Sequence, residues 1–142
     1  MYTLGYILYI LFSVMYGQSD EYLDSPLSHQ DIQLIDERNI AAQDKHYLRL
    51  LAHCLFTFKA IANSVDCIDS KALPQQENCL QWLIEKKGFN KEEYFVAVFL
   101  EQLDIASKQL DVLEKHYSVS PLELSLSQLI DFVEKEGSEQ KS

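Results

Sequence analysis

The side chains best suited to chemistry in this sequence are its four histidines and three cysteines. Imidazole nitrogens and thiolates are ligands that zinc prefers, so a metal site in this chain would draw on them. The weak candidates for such a composite site are His53, Cys54, Cys67 and Cys79. Close ligand spacings such as Cys-x-x-Cys or His-Glu-x-x-His are missing from the sequence, which therefore predicts no metal ion.

Nucleophilic and acid–base catalysis have equally little support. Neighbouring residues on a helix project about 100° apart, so His53 is badly oriented to accept a proton from Cys54. The four glycines are scattered and form no phosphate-binding loop. Adjacent acids such as Glu92 and Glu93 are typical of a solvated helix surface rather than of a catalytic pair. We predict no catalytic residue, no cofactor and no enzymatic activity.

The charge of the chain limits its partners. It has 22 acidic and 12 basic residues, which give a formal net charge of −10. Binding to nucleic acid depends on basic side chains that neutralise phosphates, and this chain has no excess of them. We therefore exclude nucleic acid as a partner, whereas an acidic surface of this kind would attract a basic protein.

The cysteines also bear on the cellular compartment. Three is an odd number and too few for a disulfide framework, which favours a reducing, cytoplasmic compartment for the domain. Cys54 falls on an apolar helix face and is predicted to be a small buried hydrophobe. Cys67 and Cys79 flank a predicted loop, and they could form a disulfide in an oxidising compartment.

The N-terminal segment, residues 1–17, is apolar and allows several interpretations. Residues 4–16 read LGYILYILFSVMY, and no Lys or Arg precedes Arg38. The length suits a secretory signal peptide, with Gly17 and Ser19 as small residues for cleavage, but the basic n-region is missing. The run is shorter than the roughly 20 residues that span a membrane. Export, membrane association through residues 4–16, packing of a helix onto the domain and a non-native leader all stay open.

Helical periodicity dominates the rest of the chain. Residues 18–27 form a predicted linker, residues 28–137 a helical bundle domain and residues 138–142 a charged tail. From Tyr47 onward apolar residues recur with alternating spacings of four and three, as in a core-facing helix. The apolar positions before it belong to a different stripe, which predicts a kink or break near residues 37–44.

Capping signals mark the starts of the helices. Ser28 with Asp31 and Asn90 with Glu93 match N-terminal caps, and Gly88 matches the residue that ends a helix. Ser120-Pro121 and a second box at Ser125 and Gln128 predict a short turn before the last helix, which should end at Gly137. The predicted fold class is all-α, a small irregular helical bundle of about four helices plus the apolar N-terminal helical segment.

The sequence does not state a specific role, and function follows mainly by elimination. We predict a non-enzymatic protein–protein interaction or regulatory module whose partner is another protein or a second copy of the chain. Apolar surface that the bundle seam leaves unused predicts the interface. Its residues are Tyr2, Tyr6, Tyr9, Tyr16, Ile32, Ile35 and Ile40. Two alternatives are an acidic inhibitor or decoy of a basic surface and an exported or membrane-associated helical protein that binds a small ligand.

Overall fold

The structure is a computed structural model that describes residues 27–64, 72–86, 88–90 and 94–141. For Phe95 and residues 137–141 it describes the helical backbone only. Every regular element in this part of the chain is helical, and no strand occurs there. The predicted all-α fold class is confirmed. The apolar N-terminal segment lies outside the described residues.

Five α-helices and one short 3₁₀ helix follow one another along the described chain. They are α1 (His29–Asp36), α2 (Ala42–Ser64), α3 (Gln76–Glu85), α4 (Tyr94–Tyr117), η1 (Pro121–Glu123) and α5 (Leu126–Lys141). The structure describes five α-helices where the sequence predicted about four, because the predicted break falls between Asp36 and Ala42. This break divides the first helical stretch into α1 and α2. None of the described helices combines the length and the apolar character that a membrane crossing needs.

The chain divides into two compact units. Unit 1 consists of Met1–His53 and Leu124–Ser142, and unit 2 of Cys54–Glu123. Among the described elements, unit 1 contains α1, the first half of α2 and α5. Unit 2 contains the second half of α2, then α3, α4 and η1.

In unit 1, α1 begins at Ser28, where the sequence predicted a helix start, and the structure forms a capping box there. The Ser28 hydroxyl oxygen accepts from the Asp31 amide at 3.0 Å, and the Asp31 carboxylate accepts from the Ser28 amide at 3.1 Å. These two bonds satisfy donors that a helix start otherwise leaves to water. They explain why a helix of only eight residues starts at a defined position.

Basic side chains hold the far end of α1. Lys45 donates to the backbone carbonyl of Asp36 at 2.8 Å, and Arg49 forms an ion pair with the Asp36 carboxylate. Arg38, just after α1, pairs with Glu134 of α5. Arg38 and Arg49 are the two arginines of the chain, and through these ion pairs both connect the end of α1 to neighbouring helices of unit 1.

The buried apolar residues of unit 1 come from all three of its helices and from the segments just before α1 and α5. They are Leu27, Ile35, Leu48, Leu50, Leu51, Ala52, Leu124, Leu129, Ile130, Phe132 and Val133. A second capping box, also predicted, starts α5. The Ser125 amide donates to the Gln128 side chain at 2.9 Å, and the Ser125 hydroxyl accepts from the Gln128 amide at 3.2 Å.

Helix α5 continues through Gly137 to Lys141, beyond the end that the sequence predicted. Glycine in a helix costs about 1 kcal/mol relative to alanine, which the good helix formers Glu, Gln and Lys after it help to offset. A glycine near the end of a helical pattern therefore marks a stop only when the chain turns there.

In unit 2, α3 packs against α4, and η1 packs against the same helix. Gly88 lies just after α3 with φ of +74° and ends the helix, as predicted. The Phe89 amide donates a hydrogen bond to the Leu83 carbonyl at 3.1 Å. Glu93 lies outside the described residues, so the cap predicted at Asn90 stays a prediction. The buried apolar residues are Cys54, Leu55, Phe58, Ile61, Cys79, Trp82, Leu83, Val96, Phe99, Leu103, Ala106, Leu110 and Leu113.

Candidate functional site

Unit 2 contains an open groove with a volume of about 370 Å³. One wall comes from the segment that leads into α3, the other from α4, and Phe58 of α2 contributes to the lining. Apolar side chains make up much of the groove, chiefly Phe58, Leu73, Pro74, Cys79, Leu100 and Leu103. A surface of this composition suits the apolar side chains of a protein segment.

The polar lining of the groove is acidic. Asp104 and Asp111 both belong to α4, and they lie two helical turns apart along the groove. Asp104 pairs with Lys108 at 3.5 Å, whereas Asp111 is exposed and forms no ion pair with any residue that the structure describes. Gln75 and Gln76 supply carboxamides on the other wall. The groove therefore offers apolar contact together with a carboxylate that a Lys or Arg of a ligand could reach.

A second surface lies on the outward face of α4. Tyr94, Ile105 and Val112 are 84%, 37% and 49% exposed, and of the large apolar side chains described in the chain only Leu34 is similarly exposed. At 100° per residue these three side chains project within about 20° of one line along α4. Exposed apolar residues scattered over a surface are ordinary, but an aligned row indicates a contact surface.

We define the α4 stripe as this row together with the residues that lie between its members on the same face of the helix. The stripe comprises Tyr94, Val98, Glu101, Ile105, Lys108 and Val112, and it spans about 27 Å at 1.5 Å per residue. The groove lies roughly a third of a turn away around α4, so the two surfaces are distinct. Sequence reasoning missed the stripe, although the seven-residue spacing of Val98, Ile105 and Val112 was a signal for it.

The residues that the sequence predicted for a partner interface differ in how deeply the structure buries them. Ile35 is completely buried within the chain, while Ile32 and Ile40 are half-buried. On α1, a partner would reach Leu34, which is 50% exposed. The tyrosines Tyr2, Tyr6, Tyr9 and Tyr16 lie outside the described residues. The interface role of this whole set stays a prediction.

The chemically reactive candidates are buried and held in their neutral forms. Burial, and next the positive charge of Arg49, lower the pKa of His53 to about 4. Burial raises the pKa of the Cys54 thiol to about 12. At neutral pH, Cys54 is therefore a protonated thiol rather than the thiolate that attacks substrates or binds zinc.

The remaining zinc candidates add no cluster. Cys79 is buried, and Cys67 lies outside the described residues. Within the residues that the structure describes, no group of three or more His, Cys, Asp or Glu is placed to hold a metal ion. The described part of the chain thus offers contact surfaces, namely the groove and the α4 stripe, rather than a cluster of reactive groups.

Comparison with protein families supplies the context for these surfaces. The model of the family described as NDH complex assembly factor CRR9 matches residues 27–140. This chain belongs to the CRR9 family. Neither the search of curated proteins nor the search of solved structures gave a match. The CRR9 family is one of assembly factors, which indicates a non-enzymatic role that involves other proteins.

Proposed function

We propose that this protein is a non-enzymatic assembly factor of the NDH complex and acts by binding a component of that complex. The match of the CRR9 family across residues 27–140 carries this proposal. It covers every helix that the structure describes except the last residue of α5.

The groove of unit 2 is the proposed docking site for that component. Its apolar lining favours an apolar segment, and the exposed carboxylate of Asp111 favours a lysine or arginine within that segment. The net charge of −10 acts in the same direction, because a negative field speeds the approach of a basic partner. This proposal shares one feature with the decoy alternative, namely an acidic surface that is presented to a basic one.

A second contact is proposed at the N-terminal side of the chain. Ile32 and Ile40 retain partly accessible apolar surface, and Leu34 adds to it on α1. The apolar residues 4–16 precede this surface in the sequence, and their proposed roles are contact with the same partner or with a membrane. Removal of residues 1–17 with α1 left intact would separate the two contributions.

The experiment that tests the function is complementation of a strain that lacks this protein and depends on it for an NDH complex. We expect the strain to accumulate less of the complex, as measured on native gels, and the full-length chain to restore it. Normal accumulation of the NDH complex without the protein would contradict the proposal.

Variants of the groove then test the docking site. Asp111→Lys removes the exposed carboxylate, and we expect it to weaken both complementation and the co-purification of NDH components with the tagged chain. Glu136→Lys is the matched control, because it makes the same change of charge at an exposed acid of α5 in unit 1, which belongs neither to the groove nor to the α4 stripe. Equal behaviour of the two variants would contradict the assignment of the groove.

A further inference from the structure

The α4 stripe has a pattern that is symmetric about its middle. Val98 lies seven residues before Ile105, and Val112 lies seven residues after it. A seven-residue spacing of apolar side chains is the one by which helices pair along a seam. If a second α4 runs antiparallel, with a two-fold axis at Ile105, then Ile105 meets its own copy and Val98 meets Val112 of the second copy.

The charges beside this apolar row match in the same arrangement. Glu101 lies four residues before Ile105 and Lys108 three residues after it, so pairing brings them to within about 1.5 Å along the helix axis. Both project on the same side of the apolar row, and a two-fold axis perpendicular to the helices keeps that side in common. Each Glu101 then faces Lys108 of the second copy, and two such pairs form.

The same charges disfavour the parallel arrangement. In a parallel pair the two-fold axis runs along the helices, so Glu101 and Lys108 of one copy lie on the opposite side of the apolar row from those of the second copy, and both Glu101–Lys108 contacts are lost. Lys108 is available for the antiparallel pair because it is 73% exposed and its present partner, Asp104, is also accessible. Such exposed pairs within one helix are weak and exchange readily.

We propose that two copies of this chain associate by antiparallel pairing of α4 along the stripe. The contact involves one helix from each copy, so it buries less surface than a standard interface, which buries about 1,600 Å². The association is therefore weak and reversible. It covers the exposed side chains of Ile105 and Val112 and leaves the groove accessible. The pairing stands independently of the proposed role in NDH assembly.

Sedimentation velocity of the full-length chain over a series of concentrations tests the pairing. We expect a reversible monomer–dimer equilibrium that Ile105→Ser weakens, because this residue lies on the two-fold axis. Leu34→Ser is the matched control, since it removes a similarly exposed apolar side chain from α1 in unit 1. It should leave the equilibrium unchanged.

Charge exchange tests the antiparallel register. Glu101→Lys and Lys108→Glu should each weaken self-association about tenfold, because each replaces two attractive contacts by repulsive ones. An equimolar mixture of these two variants should associate again, since each introduced charge then faces its opposite. The double variant E101K/K108E should also recover the dimer, while Asp111→Lys should dimerise like the unmodified chain.

The outcomes are separable. A chain that stays monomeric at every concentration overturns the pairing, and so does a dimer that Ile105→Ser and the charge variants leave intact. Failure of the mixture to recover association, with both variants folded by circular dichroism, overturns the antiparallel register. None of these results affects the complementation experiment, and a failed complementation leaves the dimer in place.

Discussion

His53 should make the stability of the protein depend on pH between about 6.5 and 4. Its side chain is buried in α2, and burial together with the charge of Arg49 lowers its pKa from 6.5 to about 4. In the unfolded chain the ring is in water and takes up a proton near pH 6.5. In that interval the unfolded state therefore binds more protons than the folded state, and stability falls as the pH falls.

The magnitude follows from the two pKa values. Each pH unit between them corresponds to about 1.4 kcal/mol, so the full effect approaches about 3 kcal/mol below pH 4. At pH 5.5 about 1.4 kcal/mol should already be lost, and at pH 4.5 roughly 2.5 kcal/mol. Above pH 7.5 the residue should have almost no effect on the pH dependence.

Urea unfolding of the unmodified chain and of His53→Gln at a series of pH values measures this effect. The quantity of interest is the difference between the two proteins, because the contributions of carboxylates that titrate near pH 4 cancel in it. His29→Gln, which replaces an exposed histidine of α1, controls for the substitution itself. An NMR titration of the His53 ring in the folded protein gives its pKa directly.

Two results would refute the reasoning. One is a His53 ring that titrates near pH 6.5 in the folded protein, which would mean that water reaches it. The other is a stability difference between the unmodified chain and His53→Gln that stays constant from pH 7.5 to pH 4. Arg49→Gln provides a further check, since removal of the nearby positive charge should raise the pKa of His53, while burial keeps it below 6.5.

Three further predictions concern the fold. Ile35→Ala should lower the free energy of unfolding by about 2–4 kcal/mol, because Ile35 is completely buried, and the half-buried Ile32→Ala should cost less in the same urea titration. Gly88→Ala should cost about 1 kcal/mol by thermal denaturation, since φ is +74° although a Cβ there would meet nothing within 4 Å; an unchanged melting temperature would contradict this. Cys54 should react with a thiol reagent only after denaturation, and labelling of the native protein, mapped by mass spectrometry, would show that its thiol is accessible.

Local signals were sufficient for the helices. The helix start at Ser28, the capping box at Ser125 and the glycine at Gly88 appear in the structure as the sequence predicted them. These signals succeed because a cap involves atoms three or four residues apart, and the neighbours along the chain decide its geometry. Gly137 shows the limit of such signals, because α5 continues past it.

Burial was harder to read from the sequence. The periodicity of α1 placed Ile32 and Ile35 among the apolar positions available to a partner, yet Ile35 is completely buried within the chain. On α4, Phe99, Leu103 and Leu110 are buried, whereas Ile105 and Val112 of the same helix are exposed. A helical period states which side chains share a face, but it does not state which faces have a neighbour in the fold.

The sequence by itself determined that the domain is helical, where several helices begin, and that the chain carries a net charge of −10. These properties depend on composition and on contacts between near neighbours in the chain. The tertiary structure decided the rest. It brought Phe58, Leu73 and Asp111 to one groove although they are far apart in sequence, and it left Ile105 and Val112 exposed on α4. The physical reason is that a groove and an exposed row exist only once the helices have packed. Each helix has apolar faces, and packing decides which of these faces are covered and which stay in contact with water.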